Sequence, residues 1–208
     1  DKTMFVEDIF KMLCKKHFDN VQVWAAYIEF LFDMRDKIDS AQFTPAKTIL
    51  QRALQALPKS KHINIITKFG SLEYKHGQPE SGRTMFEGIV TNYPKRMDVW
   101  SIYMDMESKY GTGDGSQARH LFERCLALDE IKRKPKKMKL VFRKYMEFES
   151  GNPAKLGENP AAMKALCRQT LAKMHFSACQ EGLLEWLRPP APKPSGNARS
   201  LPKHLQKP

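Results

Sequence analysis

A chain of 208 residues can hold one domain with a real core or a short run of repeats, and 41% hydrophobic against 28% charged residues is an ordinary globular balance. No stretch approaches the roughly 18 apolar residues of a membrane span, and the start carries no signal-peptide pattern. The net charge of +12 is unevenly placed: residues 1–131 hold 18 Lys+Arg and 18 Asp+Glu, whereas residues 132–208 hold 17 and 5. The excess sits wholly in the C-terminal part, which is therefore expected to meet something acidic.

In chain order, a helical pattern is already running by Val6, with Phe10 and Leu13 on the same face. The chain is accordingly expected to be a piece of a longer protein. Trp24-x-x-Tyr27-x-x-Phe30 follows, then Ala46-Lys47-x-x-Leu50-x-Arg52-Ala53-Leu54. Pro58 marks a helix end, because proline cannot continue the hydrogen-bonding ladder. The first pattern returns as Ile66-x-x-Phe69-x-x-Leu72-Glu73, and the second as Gly82-Arg83-x-x-Phe86-Glu87-x-Ile89-Val90, with Gly77 between them. After Pro94 comes Trp100-x-x-Tyr103-x-x-Met106-Glu107. The glycine-rich run 111–115 then separates it from Ala118-Arg119-x-x-Phe122-Glu123-Arg124-Cys125-Leu126. A fourth copy of the first pattern is Phe142-x-x-Tyr145-x-x-Phe148-Glu149.

Spacings of three, four and seven place these residues on one face of a helix. Each unit is thus a helix A, a loop and a helix B, and no period-two strand pattern competes. A single pair cannot bury its apolar stripe, but stacked pairs can. The expected fold is all-α, a right-handed solenoid of antiparallel helix pairs. Small residues at one helix B position, Ala46, Gly82 and Ala118, would let a helix A approach closely. The aromatic positions are read as packing between A and B.

The glutamate ending the A pattern lies seven positions, about 700 degrees, after the first aromatic, so it falls under the buried face. A carboxylate there needs a partner. Glu107 is expected to pair with Arg119, and Glu73 with Arg83, as semi-buried ion pairs between A and B.

Nothing assembles into a catalytic or metal site. Histidines 17, 62, 76, 120, 175 and 204 are isolated, and Cys14, Cys125, Cys167 and Cys179 form no C-x-x-C pair. The cysteines are expected to be reduced thiols of an intracellular protein. No nucleophile elbow occurs. Residues 111–116 lack the Gly-Lys-Ser/Thr end of a phosphate loop and lie between helices, so they read as a turn. No cofactor, small-molecule substrate or membrane partner is expected, and the chain reads as a non-enzyme.

The candidate site is the basic segment Lys132, Arg133, Lys134, Lys136, Lys137, Lys139, Arg143 and Lys144, which holds eight cations and no acid. With a helix opening at Pro135, Met138, Phe142 and Tyr145 face the core. Lys136, Lys139 and Arg143 then line a flank at i, i+3 and i+7. Such a stripe can track phosphates without reading bases. A solvated face or a localisation signal would use the same residues.

Beyond residue 150 the organisation changes. Residues 151–187 are expected to supply a closing helix capped by Asn159 and opened by Pro160. Its shared face would be Met163, Leu166, Cys167, Thr170, Leu171 and Met174. Residues 188–208 hold six prolines and five Lys/Arg with no acid, and are expected to carry no fold. Truncation at Arg188 should therefore leave the thermal midpoint of unfolding nearly unchanged. A large drop would show instead that the tail packs on the helices.

The two recurring patterns resemble the half-a-tetratricopeptide (HAT) repeat over about residues 6–150. Within that class, Gly82 to Tyr103 and Phe142 to Glu149 are similar to the C-terminal repeats of the programmed cell death protein 11 family of nucleolar pre-ribosomal-RNA processing factors. The chain departs from that family after about Gly151. The resemblance implies a tetratricopeptide-like stack that follows an array of oligonucleotide-binding folds. It also implies a scaffold of early small-subunit ribosome assembly, located in the nucleolus, that holds assembly factors and pre-rRNA together by protein–protein and RNA contact. A HAT scaffold of splicing or messenger-RNA 3'-end processing is the alternative.

Overall fold

The computed structural model describes residues 2–35, 44–151 and residue 165. Every regular element among them is a helix: α1 (Lys2–Lys16), α2 (Val21–Arg35), α3 (Ala46–Ala56), α4 (Lys59–Lys75), α5 (Pro79–Asn92), α6 (Met97–Tyr110), α7 (Ser116–Ala127), α8 (Asp129–Lys132) and α9 (Pro135–Ser150). The A patterns fall on α2, α4, α6 and α9, and the B patterns on α1, α3, α5 and α7. The one-turn α8 was not expected. The closing helix proposed for 151–187 and the tail 188–208 lie outside the described residues, apart from Gly151 and Ala165.

The chain divides into two compact units at Phe142/Arg143, inside α9. In the first unit the main helix contacts join neighbours one or two places apart, such as α1 with α2, α4 with α5 and α6, and α6 with α7. The A helices also meet successively, α2 with α4 and α4 with α6. Gly115, at φ 79°, forms the N-cap of α7, where a left-handed backbone favours glycine.

The internal repeat is visible in the contacts. Trp24 and Trp100 are 76 positions apart, as are Tyr27 and Tyr103, and Phe10 and Phe86. The Trp24 indole N–H donates to the Phe18 carbonyl at 2.8 Å, and that of Trp100 to the Pro94 carbonyl at 3.0 Å. Phe10 stacks on Tyr27 with ring centroids 5.3 Å apart and an interplanar angle of 4°. Phe86 stacks on Tyr103 at 5.0 Å and 6°. The pair α1–α2 and the pair α5–α6 thus share a core built from the same side chains. Burying each such side chain contributes roughly 1.5–3 kcal/mol.

The aromatic positions are packing residues, as expected. Tyr27, Trp100 and Tyr103 are all buried, and Phe69 and Phe86 are fully so. The small residue at the head of α5 also has the role assigned to it. A Cβ on Gly82 would lie 2.5 Å from the Tyr74 ring and 2.7 Å from the Gly70 carbonyl oxygen of α4. That close approach brings α4 and α5 together.

Candidate functional site

Two carboxylates, Glu107 buried and Glu87 half-buried, tie the helices of the first unit together. Glu107 on α6 is buried. It accepts a hydrogen bond from the Tyr74 hydroxyl of α4 at 2.5 Å, and two from the Arg83 guanidinium of α5 at 2.7 and 3.2 Å. Burial, and then the bond to Glu107, pushes the Tyr74 hydroxyl far above its ordinary range, so it remains a donor. Glu87 on α5 accepts from the Tyr103 hydroxyl of α6 at 2.8 Å and from Arg124 of α7 at 2.8 and 3.0 Å. The Arg124 guanidinium also lies over the Trp100 ring, 5.2 Å from its centroid, a favourable cation–π position. Each carboxylate therefore holds one tyrosine and one arginine from two other helices.

This corrects the expected ion pairs. Glu107 and Glu73 are buried as anticipated, but the partners are shifted by one unit. Glu107 takes Arg83 from the preceding pair and not Arg119, which donates to the Asp114 carbonyl at 3.0 Å. Glu73 faces Arg35 at the end of α2, at 3.8 Å, rather than Arg83. The physical reason is that each A helix packs on the preceding A and B helices as well as on the following B helix. Helical spacing places the glutamate on the buried side without choosing among those neighbours.

The basic segment forms the end of α8, a short turn and α9. Lys132, Arg133, Lys134, Lys136, Lys139 and Arg143 are exposed, and Lys137 and Lys144 half-buried. On α9, which opens at Pro135 as expected, Met138, Phe142 and Tyr145 are buried. Lys136, Lys139 and Arg143 follow one another along its exposed flank at the expected spacing, with Leu140 exposed beside them. Lys134 pairs with Glu130, and Lys137 stands 3.7 Å from the same carboxylate. Lys134, then Lys137 and Lys95, outweigh desolvation and hold the Glu130 carboxyl below its usual range.

Two residues here escaped the sequence reading. Glu130 lies just ahead of the acid-free run and offsets two of its cations. Lys95, between α5 and α6, acts on Glu130 from 35 positions earlier, and no local pattern could have signalled it. A further feature is electrostatic. The first turn of α9, like those of α1 to α4 and α7, carries no acid, and it begins Pro135-Lys136-Lys137. Cations at a helix N-terminus oppose the macrodipole, so this end of α9 favours an incoming anion. Among the described residues no cluster of three or more His, Cys, Asp or Glu could hold a metal ion, and no helix is long and apolar enough to cross a membrane. Cys14 and Cys125 are free and buried.

By class, then, the described residues form an all-α protein of helix pairs that repeat along the chain, with a basic helix on which Lys136, Lys139 and Arg143 are exposed. No family model matches the chain. Part of it is similar to short segments of much longer proteins named for rRNA biogenesis. It is 44% identical over 143 residues, 68% of this chain, to "rRNA biogenesis protein rrp5" of Schizosaccharomyces pombe. It is 34% identical over 142 residues, 68% of the chain, to "Protein RRP5 homolog" of Homo sapiens. Against "rRNA biogenesis protein RRP5" of Arabidopsis thaliana the identity is 36% over 137 residues, 66% of the chain. The matched segments are 8%, 7% and 6% of those proteins, so the chain spans less than a tenth of the relatives' length.

Proposed function

We propose that this chain is a HAT-like helical segment of an rRNA biogenesis factor. It serves as a non-catalytic scaffold in early small-subunit assembly in the nucleolus. The observation that carries this reading is the 34–44% identity, over about two thirds of the chain, to relatives named for rRNA biogenesis. The paired helices and their repeat at 76 positions support a right-handed stack over residues 1–150. Assembly factors dock on the helices, and pre-rRNA is held along α9.

The work of α9 is electrostatic. Lys136, Lys139 and Arg143 meet phosphates on one exposed flank, and the helix N-terminus, whose first turn carries no acid, adds to the same attraction. Lysines on a flank reach backbone rather than base edges, so binding carries no base preference. Counterion release makes such binding weaken steeply with salt, in proportion to the phosphates contacted.

The test is RNA affinity at several salt concentrations for the wild type and for a variant with Lys136, Lys139 and Arg143 all replaced by Gln. Weaker binding and a flatter salt slope, with the fold intact by circular dichroism, are the expected results. Losing three phosphate contacts should lower the slope by about 3 units. Equal affinity and slope would make the stripe a solvated face. Unchanged RNA binding with loss of an acidic protein partner would reassign it to protein docking.

A further inference from the structure

A groove between α1, α2 and α3 lies well before the basic helix. Its volume is about 200 Å³, room for a single side chain. Cys14, Trp24, Tyr27 and Ile49 form its floor, and all four are buried. Their polar atoms are already engaged: the Trp24 indole N–H is on the Phe18 carbonyl, and the Tyr27 hydroxyl is on Glu7 at 2.9 Å. The floor therefore offers carbon, not hydrogen bonds. The rim is Lys11, Lys15 and Arg52, with no carboxylate among the lining residues. This is a local segregation of charge inside a stretch, residues 1–131, that sums to zero.

The second copy of the same unit shows what the groove lacks. In the B pattern Arg52 occupies the position of Arg124, as Ala46 does that of Ala118. Lys11 stands 76 positions before Glu87, and Trp24 the same distance before Trp100. In the second copy Glu87 and Arg124 pair at 2.8 Å, with the arginine over the tryptophan ring. In the first copy the glutamate is replaced by Lys11, which turns to Asp8 at 3.3 Å and Glu7 at 3.5 Å. Arg52 and Lys15 have no ion pair among the described residues.

We infer that the carboxylate missing from the first copy is supplied by a partner. The groove docks an acidic peptide segment, seating one apolar side chain on the floor while a neighbouring Asp or Glu meets Arg52 and Lys15. Charge complementarity calls for an anionic occupant, and the engaged polar atoms of the floor favour an apolar side chain of a peptide over a nucleic-acid base. The floor offers a base no free nitrogen or oxygen donor or acceptor.

The experiment uses the full chain and a fluorescently labelled peptide alternating Asp or Glu with Leu. Two further probes are the same peptide with Lys for each acid and a single-stranded oligouridylate. Binding is read by anisotropy. The acidic peptide should bind the wild type in preference to the basic control. Arg52→Gln should weaken it by at least about tenfold, the scale of losing one partner of a charge-assisted contact. Lys11→Glu places a carboxylate where Glu87 stands in the second copy, to compete for Arg52, so it should abolish peptide binding with the fold intact by circular dichroism. The Lys136, Lys139 and Arg143 replacements should leave peptide binding untouched, which separates this groove from the basic helix. Equal affinity for both peptides would overturn the inference, as would unchanged binding by Arg52→Gln or Lys11→Glu. Loss of oligouridylate rather than peptide binding in Arg52→Gln would do so as well, and would make the groove an RNA contact.

Discussion

Glu107→Ala is expected to lower the stability of the first unit by roughly 3–5 kcal/mol, the cost of leaving a buried charge without its partner. Three observations set that scale. The carboxylate is buried, Arg83 is bound to it through two nitrogens with only 17% of its side chain exposed, and the Tyr74 hydroxyl has no other partner described. Removing the carboxylate leaves the Tyr74 hydroxyl without its acceptor and Arg83 with only the exposed Glu80, on two different helices. Glu107→Gln keeps the shape and one acceptor but loses the charge, so about 1.5–3 kcal/mol is expected, the worth of hydrogen bonds to charged groups. Chemical denaturation of the two variants reads both values. A loss of about 1 kcal/mol or less for Glu107→Ala would mean that the pair behaves as a solvated surface bridge.

Gly82→Ala should cost about 1–3 kcal/mol, against the usual preference of a helix for alanine. The added methyl would meet the Gly70 carbonyl oxygen at 2.7 Å and the Tyr74 ring at 2.5 Å. Only the ring could yield, and it is held by its bond to Glu107. The same substitution six residues on has the opposite sign. Gly88 has nothing within 4 Å of its would-be Cβ, so Gly88→Ala should stabilise α5 by about 0.5–1 kcal/mol through the unfolded chain. Thermal denaturation of the two variants should therefore bracket the wild type. A midpoint for Gly82→Ala at or above that of the wild type would show that α5 does not approach α4 at Gly82.

Helix identity and pairing were legible because the same residue types return at helical spacing. Trp24 and Trp100 even repeat the same indole-to-carbonyl bond. What spacing could not supply was the choice of neighbour. It put Glu107 on the buried side and named the wrong arginine, since Arg119 lies 12 positions after it and Arg83 24 before it, and packing, not nearness in sequence, decides between them. The helix α8 was missed because four residues are too few to show a period. In the basic segment the outward flank of Lys136, Lys139 and Arg143 followed from the apolar positions Met138, Phe142 and Tyr145. The restraint of Lys134 and Lys137 by Glu130 did not, because the acid lies outside the run that drew attention. The groove at Arg52 was invisible in one dimension: it appears only when the first and second copies are superposed by function, Lys11 against Glu87.

The most direct test of the proposed role is to crosslink the protein to RNA in living cells and sequence what is recovered, for the wild type and for the variant with Lys136, Lys139 and Arg143 replaced by Gln. Enrichment of pre-ribosomal RNA from the small-subunit region, reduced in the variant, is the expected result. Recovery of messenger-RNA precursors in its place, or of pre-ribosomal RNA at an unchanged level in the variant, would contradict it.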